Sequence, residues 1–511
     1  MSVRLVVLGA VAALACAAPA LAVDRGVGAD VPKPSPSGAP WSDAEIATLD
    51  ANLDITLSGA ATLRGAHVGI YAIDARDGRV LYERDQDSAF QPASTLKLLV
   101  GSAALDKLGP DFRFTTEAVA TGPIADGTLQ GSLVVRAGGD PFLRDGDFDA
   151  LAQTLAARGV RAIRDGAGFD LEAFEPPGYP PGWSVDDLAQ DYAPPVGALA
   201  FEENVLHLTV APGATAGAPA VVTSAPGAFV RPAGEGCVPQ FLPEIVTIAT
   251  TGSADAKDDV DVRGSLPGCP EVFGTVPLGA KPDSVDAAVR FASAYAGAAL
   301  RAALQRHGIA VRTPPNSSPL DVLRAPLDAP VVWTHRSEPL RDVLADTWEP
   351  SDNLAAEMLL RELGAVATSG QGTRLGGIAF EKTWLAALGV DPAPLAIEDG
   401  SGLSTYDRLT PSALVAVLRH DWDGPQRDLV LDDLPIAGVR GTLRDAFTGT
   451  AAEKRVFAKT GTLSHASTLA GYVATASHGT VIFAFLVGDW NGDAAALRDL
   501  RGRFLSRLVG E

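Results

Sequence analysis

The sequence predicts an α/β (α+β) protein in which one antiparallel sheet, flanked by helices, is interrupted by a mostly β inserted region. Three observations carry this expectation. A strand hairpin near the start leads straight into an apolar helix, three apolar strands and a helix close the chain, and residues 113–325 between them alternate short apolar runs with Gly/Pro/Ala-rich turns. At 511 residues the chain exceeds one ordinary core and implies two or three domains. Hydrophobic residues at 47% and charged residues at 20% are a globular balance. The formal charge of -21 argues against nucleic acid as a partner.

The N-terminus begins with Arg4 after Met1-Ser2-Val3, continues as an apolar run from Leu5 to Ala15, and offers Ala20-Leu21-Ala22 as a small-x-small cleavage site. That is the layout of a signal peptide over 1–22, too short to span a bilayer comfortably. Export to a periplasmic or extracellular location is expected, with at most peripheral membrane contact; lipidation at Cys16 is the second reading. The remaining cysteines, Cys237 and Cys269, suggest a disulfide in an oxidising compartment, with two buried thiols as the alternative. Without a histidine cluster they make no zinc site, and no metal or cofactor is expected.

Residues 23–41 are rich in Pro, Gly and Ser and read as a flexible lead-in. Ser42 is placed to cap a helix opening at Asp43. His67–Ile73 and Arg79–Glu83 alternate as strands around the Asp77-Gly78 turn. From Ser94, the residues Leu96, Leu99, Val100, Ala103 and Ala104 recur at helical spacing until Gly109-Pro110. Within the insertion, Val205–Val210 is strand-like, 205–283 suggests a nested subdomain, and Asp283–His307 reads as one long helix. Residues 42–112 and 326–511 then form one discontinuous domain. A helix capped by Ser351 carries Leu354, Met358 and Leu359 on its apolar face, and another starts at Pro411. The strands Arg455–Thr460, Leu469–Ala474 and Val481–Val487 precede a last helix from Ala494 to Leu508.

Ser94 and Lys97 stand three residues apart at the start of a helix, so they share a face. A serine hydroxyl needs an adjacent base to be a nucleophile, and a lysine serves if burial or another cation keeps it neutral. Alone, Ser-x-x-Lys is more often a cap followed by a surface lysine. Two further motifs follow in order: Ser351-Asp352-Asn353 and Lys459-Thr460-Gly461. Singly these read as an N-cap and as a strand ending in a turn. Each of the three occurs once in the chain, and together they are the signature of penicillin-binding proteins and class A β-lactamases.

The chain resembles a class C, low-molecular-mass penicillin-binding protein of the D-alanyl-D-alanine carboxypeptidase/endopeptidase family, within the serine β-lactamase-like fold. Further matches are Gly138-Gly139-Asp140-Pro141, Pro181-Gly182-Trp183 with Asp187 and Tyr192, and Asp399-Gly400-Ser401-Gly402-Leu403-Ser404. Ala437-Gly438-Val439, Gly441-Thr442-Leu443 and Leu469-Ala470-Gly471-Tyr472 extend the likeness over roughly 45–505, insertion included. The resemblance implies that Ser94 attacks the penultimate D-Ala carbonyl, Lys97 takes its proton, and Ser351 relays it to the leaving amine. It implies that Asn353 orients Lys97 and the substrate, and that Lys459, Thr460 and Thr462 bind the terminal carboxylate. Gly461 would admit substrate backbone along the strand edge, and Ser401 would join the substrate contacts. Asp187, or its neighbour Asp186, would meet an amine on the third stem-peptide residue beside Tyr192. Thr405 departs from an arginine common after Gly-Ser-Gly-Leu-Ser, and Arg408 is the nearest substitute. Peptidoglycan stem peptides ending in D-Ala-D-Ala and β-lactams are the implied partners. A His-dependent hydrolase lacks a Gly-x-Ser-x-Gly elbow here, and a metallopeptidase lacks His-Glu-x-x-His. A β-lactamase shares the acylation chemistry, while a non-catalytic peptidoglycan binder has no need of Lys97.

Overall fold

The computed structural model describes residues 30–225, 229–232, 244–264, 270–312 and 322–510. The expected signal peptide and the expected Cys237–Cys269 bridge lie outside the described residues.

His67–Asp74 (β1), Val80–Arg84 (β2), Val456–Leu463 (β3), Ala466–Ala474 (β4) and Thr480–Gly488 (β5) form one sheet in the order β2-β1-β5-β4-β3. Every pairing is antiparallel. The early hairpin therefore docks on the last strand, and the two ends of the chain share one sheet as expected. Asp43–Ser58 (α1), Leu96–Leu108 (α2), Pro411–Asp423 (α4) and Ala494–Val509 (α5) share cores with it, and Asn353–Thr368 (α3) packs on α2. β5 is buried along its whole length. Its alternate residues explain why: Phe483, Phe485 and Val487 face α1 and α5, while Ile482, Ala484 and Leu486 face α2 and α4. A strand covered on both faces reads as a continuous apolar run. Ser42 caps α1 as expected, its hydroxyl accepting from Glu45 N–H while the Glu45 carboxylate accepts from Ser42 N–H at 2.8 Å.

In the inserted region, Val331–Arg336, Thr115–Ala120, Leu133–Arg136 and Ala167–Asp170 form a four-stranded sheet in that spatial order. Helices Asp145–Ala157 and Ala292–Arg306 share a core with it. Two expectations shift here. Asp283–Ala288 is a strand paired antiparallel with Val205–Val210, so the helix expected from Asp283 begins only at Ala292. Ser284, Val285 and Asp286 have weak helical preference, and the neighbouring apolar strand offers them a better partner. Val331–Arg336 completes the inserted sheet, so the chain rejoins the helical layer at Leu340, beyond the boundary expected at 326. Among the described residues no helix is long and apolar enough to cross a membrane.

Leu53 on α1 is fully buried against the sheet. Leu53→Ala is expected to cost about 3 kcal/mol, read as a lower urea midpoint at unchanged slope. A loss below about 1 kcal/mol would mean α1 is not docked there.

Candidate active site

Ser94 sits in a tight turn, Ala93–Thr95, that runs directly into α2. The hydroxyls of Thr95 and Thr468 both donate to Pro92 O, at 2.6 and 2.7 Å, which ties this turn to β4. Two glycines let neighbouring segments close on it. A Cβ at Gly402, whose φ is +79°, would stand 1.9 Å from Ala93 O. One at Gly461 would stand 2.8 Å from Ser94 N and 2.3 Å from Thr468 Oγ1. The bare Cα of Gly461 thus makes room for the serine turn rather than for substrate backbone, a different reason from the one expected.

Lys97 is fully buried. Its Nζ lies 3.0 Å from Ser94 Oγ and donates to Asn353 Oδ1 at 2.5 Å and Ser401 O at 2.7 Å. A neutral amine has two hydrogens and one lone pair. With both hydrogens held by carbonyl oxygens, the lone pair is left for the Ser94 hydroxyl. Burial draws the Lys97 pKa down to about 8, against the opposing pull of Asp399, Asp352 and Glu357. Lys459, also fully buried, donates to Ser351 Oγ at 2.9 Å and Thr460 O at 3.0 Å. Burial and then the charge of Lys97 push its pKa well below the usual lysine range. Burial is therefore the main cause for both amines, where the sequence pointed equally to the charge of Lys459.

Ser351 is not the helix cap. Asp352 takes that place, its carboxylate accepting from Ala355 N–H at 2.6 Å. A carboxylate caps well, and this frees Ser351 to adopt φ +74°, with its hydroxyl on Lys459. Asn353 opens α3 with its oxygen on Lys97 and its Nδ2 donating to Tyr192 O at 2.8 Å. Thr460 Oγ1 donates to Thr442 Oγ1 at 2.7 Å. β3 is the edge strand of the sheet, and Ala458 N–H leaves it outward to Pro435 O. By the alternation of a strand, the N–H groups of Thr460 and Thr462 also point outward.

The predicted residues farther out divide. Tyr192 is 43% exposed and its hydroxyl donates to Asp187 Oδ1 at 2.8 Å; burial, then Asp187, raises its pKa. Through the Tyr192 carbonyl this pair adjoins Asn353. Arg408 donates to the carbonyls of Thr405 and Asp407, so it serves its own loop. Ser401 is fully buried with its hydroxyl on Asp399, 3.2 Å away. Its expected substrate contact is closed off, and what it contributes is the backbone carbonyl facing Lys97.

Sequence reasoning missed what fixes that carbonyl. Glu357 Oε1 accepts from Gly400 and Ser401 N–H, both at 2.9 Å, while Oε2 accepts from Arg361 at 2.7 Å. Asp399 accepts from Gly402 and Ser404 N–H at 2.7 Å and from Trp183 Nε1 at 2.8 Å. The available signal was Glu357 four residues before Arg361, an ion pair on an apolar helix.

Serine and lysine pairs converging from two helices on the edge of a helix-covered antiparallel sheet define a serine peptidase of the β-lactamase-like fold. The chain belongs to the D-Ala-D-Ala carboxypeptidase 3 (S13) family, whose model matches residues 49–504. The resemblance read from the motifs, to a class C low-molecular-mass penicillin-binding protein, holds. The D-alanyl-D-alanine carboxypeptidase of Actinomadura sp. (strain R39) is 33% identical over 492 residues, covering 93% of this chain and 88% of the relative. The crystal structure of penicillin binding protein 4 (dacB) from Haemophilus influenzae shares the fold at TM-score 0.74 and 24% identity, over 90% of this chain and 98% of that one. A complex of the same protein with a β-lactam matches at TM-score 0.70 and 24% identity, over 89% and 98%.

The Glu357 charge holds the Lys97 pKa up. Glu357→Gln keeps an acceptor for the two N–H groups but removes that charge, so more of Lys97 is neutral at a given pH. The acid limb of the rate of D-Ala release is then expected to move to lower pH. A limb that stays in place would break the link between Glu357 and Lys97.

Proposed function

We propose that the protein is an exported serine D-Ala-D-Ala carboxypeptidase that also cleaves crosslinked stem peptides as a DD-endopeptidase, through an acyl-enzyme on Ser94 that penicillin also forms. The observation that carries this reading is the buried Lys97 amine, 3.0 Å from Ser94 Oγ with both hydrogens held elsewhere. Export rests on the layout of residues 1–22.

Ser94 attacks the carbonyl of the penultimate D-Ala as Lys97 takes the hydroxyl proton. The oxyanion is met by the N–H groups of Ser94 and Thr462, the latter on the open edge of β3. The proton returns through Ser351, held by Lys459, to the departing amine. Thr460 and Thr462 receive the terminal carboxylate, while Lys459, buried on the other face of β3, acts through Ser351. Water then repeats the sequence in reverse on the acyl-enzyme, with Lys97 again as base. β-Lactams enter as carbonyl compounds with a carboxylate in the same relation, which the Haemophilus influenzae complex supports by likeness. Crosslinked peptides present the same D-Ala carbonyl with a larger leaving amine. At the far end Asp187, with Tyr192 beside it, suits an ammonium on the third stem residue. With Thr405 in place of an arginine and Arg408 turned to its own loop, an accompanying carboxylate meets no strong cation from that loop.

A fluorescent penicillin is expected to label the purified protein stably and covalently, and Ser94→Ala to abolish the label. Rapid turnover of the drug would mark a β-lactamase instead, and the absence of any label a binder. D-Ala release from a pentapeptide tests the carboxypeptidase step, and cleavage of crosslinked dimers the endopeptidase step.

The pH dependence follows from Lys97. It acts deprotonated with a pKa of about 8, so below that value the active fraction falls about tenfold per pH unit. The acylation rate is expected to rise with pH and level off near 8. A rate flat between pH 6 and 8 would exclude Lys97 as the base.

A further inference from the structure

A cavity of about 930 Å³ lies away from the serine turn, between β1, α4 and the loop 388–394 that follows helix Arg374–Ala387. That is near the top of the roughly 300–1,000 Å³ range of small-molecule sites. Tyr71 and Ile73 of β1 and Val415 of α4 give it an apolar wall. Its polar groups are of both kinds. Asp87 and Asp391, both exposed, offer carboxylate oxygens, and Ser412 Oγ donates to Asp87 Oδ1 at 2.7 Å, which fixes that carboxylate at the wall. Tyr71 is half-buried; burial, then the charges of Glu83 and Asp87, raise its pKa, so its hydroxyl stays a donor. Arg419 lines the cavity from α4 with its Nε on Asp423 Oδ2 at 2.5 Å. With Arg419 paired and two carboxylates left over, the cavity does not suit an anion. Donors and acceptors set around an apolar wall suit a neutral ligand with C–H faces and many hydroxyls, which is a sugar.

A strap of two segments joins this cavity to the active site. Thr405 N–H donates to Gly182 O at 3.1 Å, and Thr405 O accepts from Gln91 Nε2 at 2.9 Å. Phe90 and Leu409 exchange two backbone hydrogen bonds, at 2.8 and 2.9 Å, and Ser412 N–H donates to Gln86 O at 2.9 Å. Segments 86–91 and 405–412 therefore run side by side, from Gly182 near the Asp187–Tyr192 pair to the Asp87–Ser412 wall. The strand order β2-β1-β5-β4-β3 places β1 three steps from β3, about 14 Å across the sheet. A pentapeptide stem keeps four residues on the acyl side of the scissile bond, a reach of up to about 14 Å. The sugar from which the stem hangs then falls at the distance of the cavity.

We propose that this cavity is a glycan subsite, in which the N-acetylated sugar strand that carries the stem peptides rests while a peptide end reaches Ser94. The inference rests on the peptidoglycan reading of the active site and adds the part of the polymer that the site itself does not touch. Asp87 and Asp391 accept from sugar hydroxyls, the Tyr71 hydroxyl donates, and Ile73 and Val415 meet the C–H face of a ring. Holding the strand there raises the local concentration of its stem peptides at Ser94 with no change in the chemistry.

The test uses the full-length protein and a soluble oligomer of N-acetylglucosamine that carries no peptide. Calorimetry is expected to show that the oligomer binds, with an affinity that changes little with salt, as fits a neutral ligand. Ala393 is exposed and lines the cavity, so Ala393→Trp fills it without removing a native contact and should lower that affinity about tenfold. Asp391→Asn keeps the oxygen that accepts from Ala393 N–H at 2.9 Å and should weaken binding less. D-Ala release from polymeric peptidoglycan should fall about tenfold in Ala393→Trp while release from a soluble pentapeptide stays within about twofold. The pentapeptide rate is also the check on folding. No binding of the oligomer, tighter binding of oligolysine, or equal rates for wild type and Ala393→Trp on the polymer would each overturn the proposal. A wild type that released no D-Ala from the pentapeptide would instead overturn the carboxypeptidase reading.

Discussion

Placing an amine out of reach of water beside a serine imposes a demand that most of the catalytic half of the molecule meets. An ammonium so buried loses its hydration, and the protein responds by lowering its pKa and surrounding it with acceptors of fixed direction. For Lys97 these come from separate parts of the chain: Ser94 one turn away, Asn353 at the start of α3, and the Ser401 carbonyl from the 399–404 loop. None could be moved without turning the lone pair away from Ser94. The amine is the point at which helix, loop and sheet edge must agree.

The loop behind it is held by acids rather than by apolar packing. Glu357 and Asp399 accept four backbone N–H groups between them, which pins the loop residue by residue. Further in, Asp407 is pushed well above the usual carboxylate range by burial and by Asp399. Burial raises Glu381 likewise, and among the described residues neither of its oxygens has a partner. Crowded buried carboxyls lower their total charge by keeping protons. Arg361 neutralises part of the remainder through Glu357. The field on Lys97 is therefore moderate, enough to oppose burial and hold its pKa near 8.

The same economy of position appears on both sides of β3. One face of this edge strand presents Lys459 to Ser351, and the other presents two threonine hydroxyls to an arginine-lined cleft. Between them the outward N–H groups remain open. A single extended segment can thus present groups in three directions, because a strand projects side chains to both faces and backbone groups sideways. β4 supplies the backing, with Thr468 tied to the serine turn and Ser467 to Arg501.

What the amino-acid order determined by itself was whatever depends on neighbours along the chain. Ser94 and Lys97 meet because one helical turn joins them, the early hairpin and late strands announce themselves by apolar alternation, and Ser42 with Glu45 marks the start of α1. The three motifs were legible as a set because each needs only a few consecutive residues. Tertiary structure decided matters that rest on competition between distant groups. Asp352 displaced Ser351 as the cap, which sent the serine hydroxyl to Lys459, 108 positions away. Asp283–Ala288 became a strand because Val205–Val210 lay beside it. Ser401 turned inward, and Glu357 acquired its purpose, only when the 399–404 loop folded onto α3. Local pattern specifies which element forms and which face is apolar. Which polar atom wins a buried partner is settled by the packing that removes water from all of them at once.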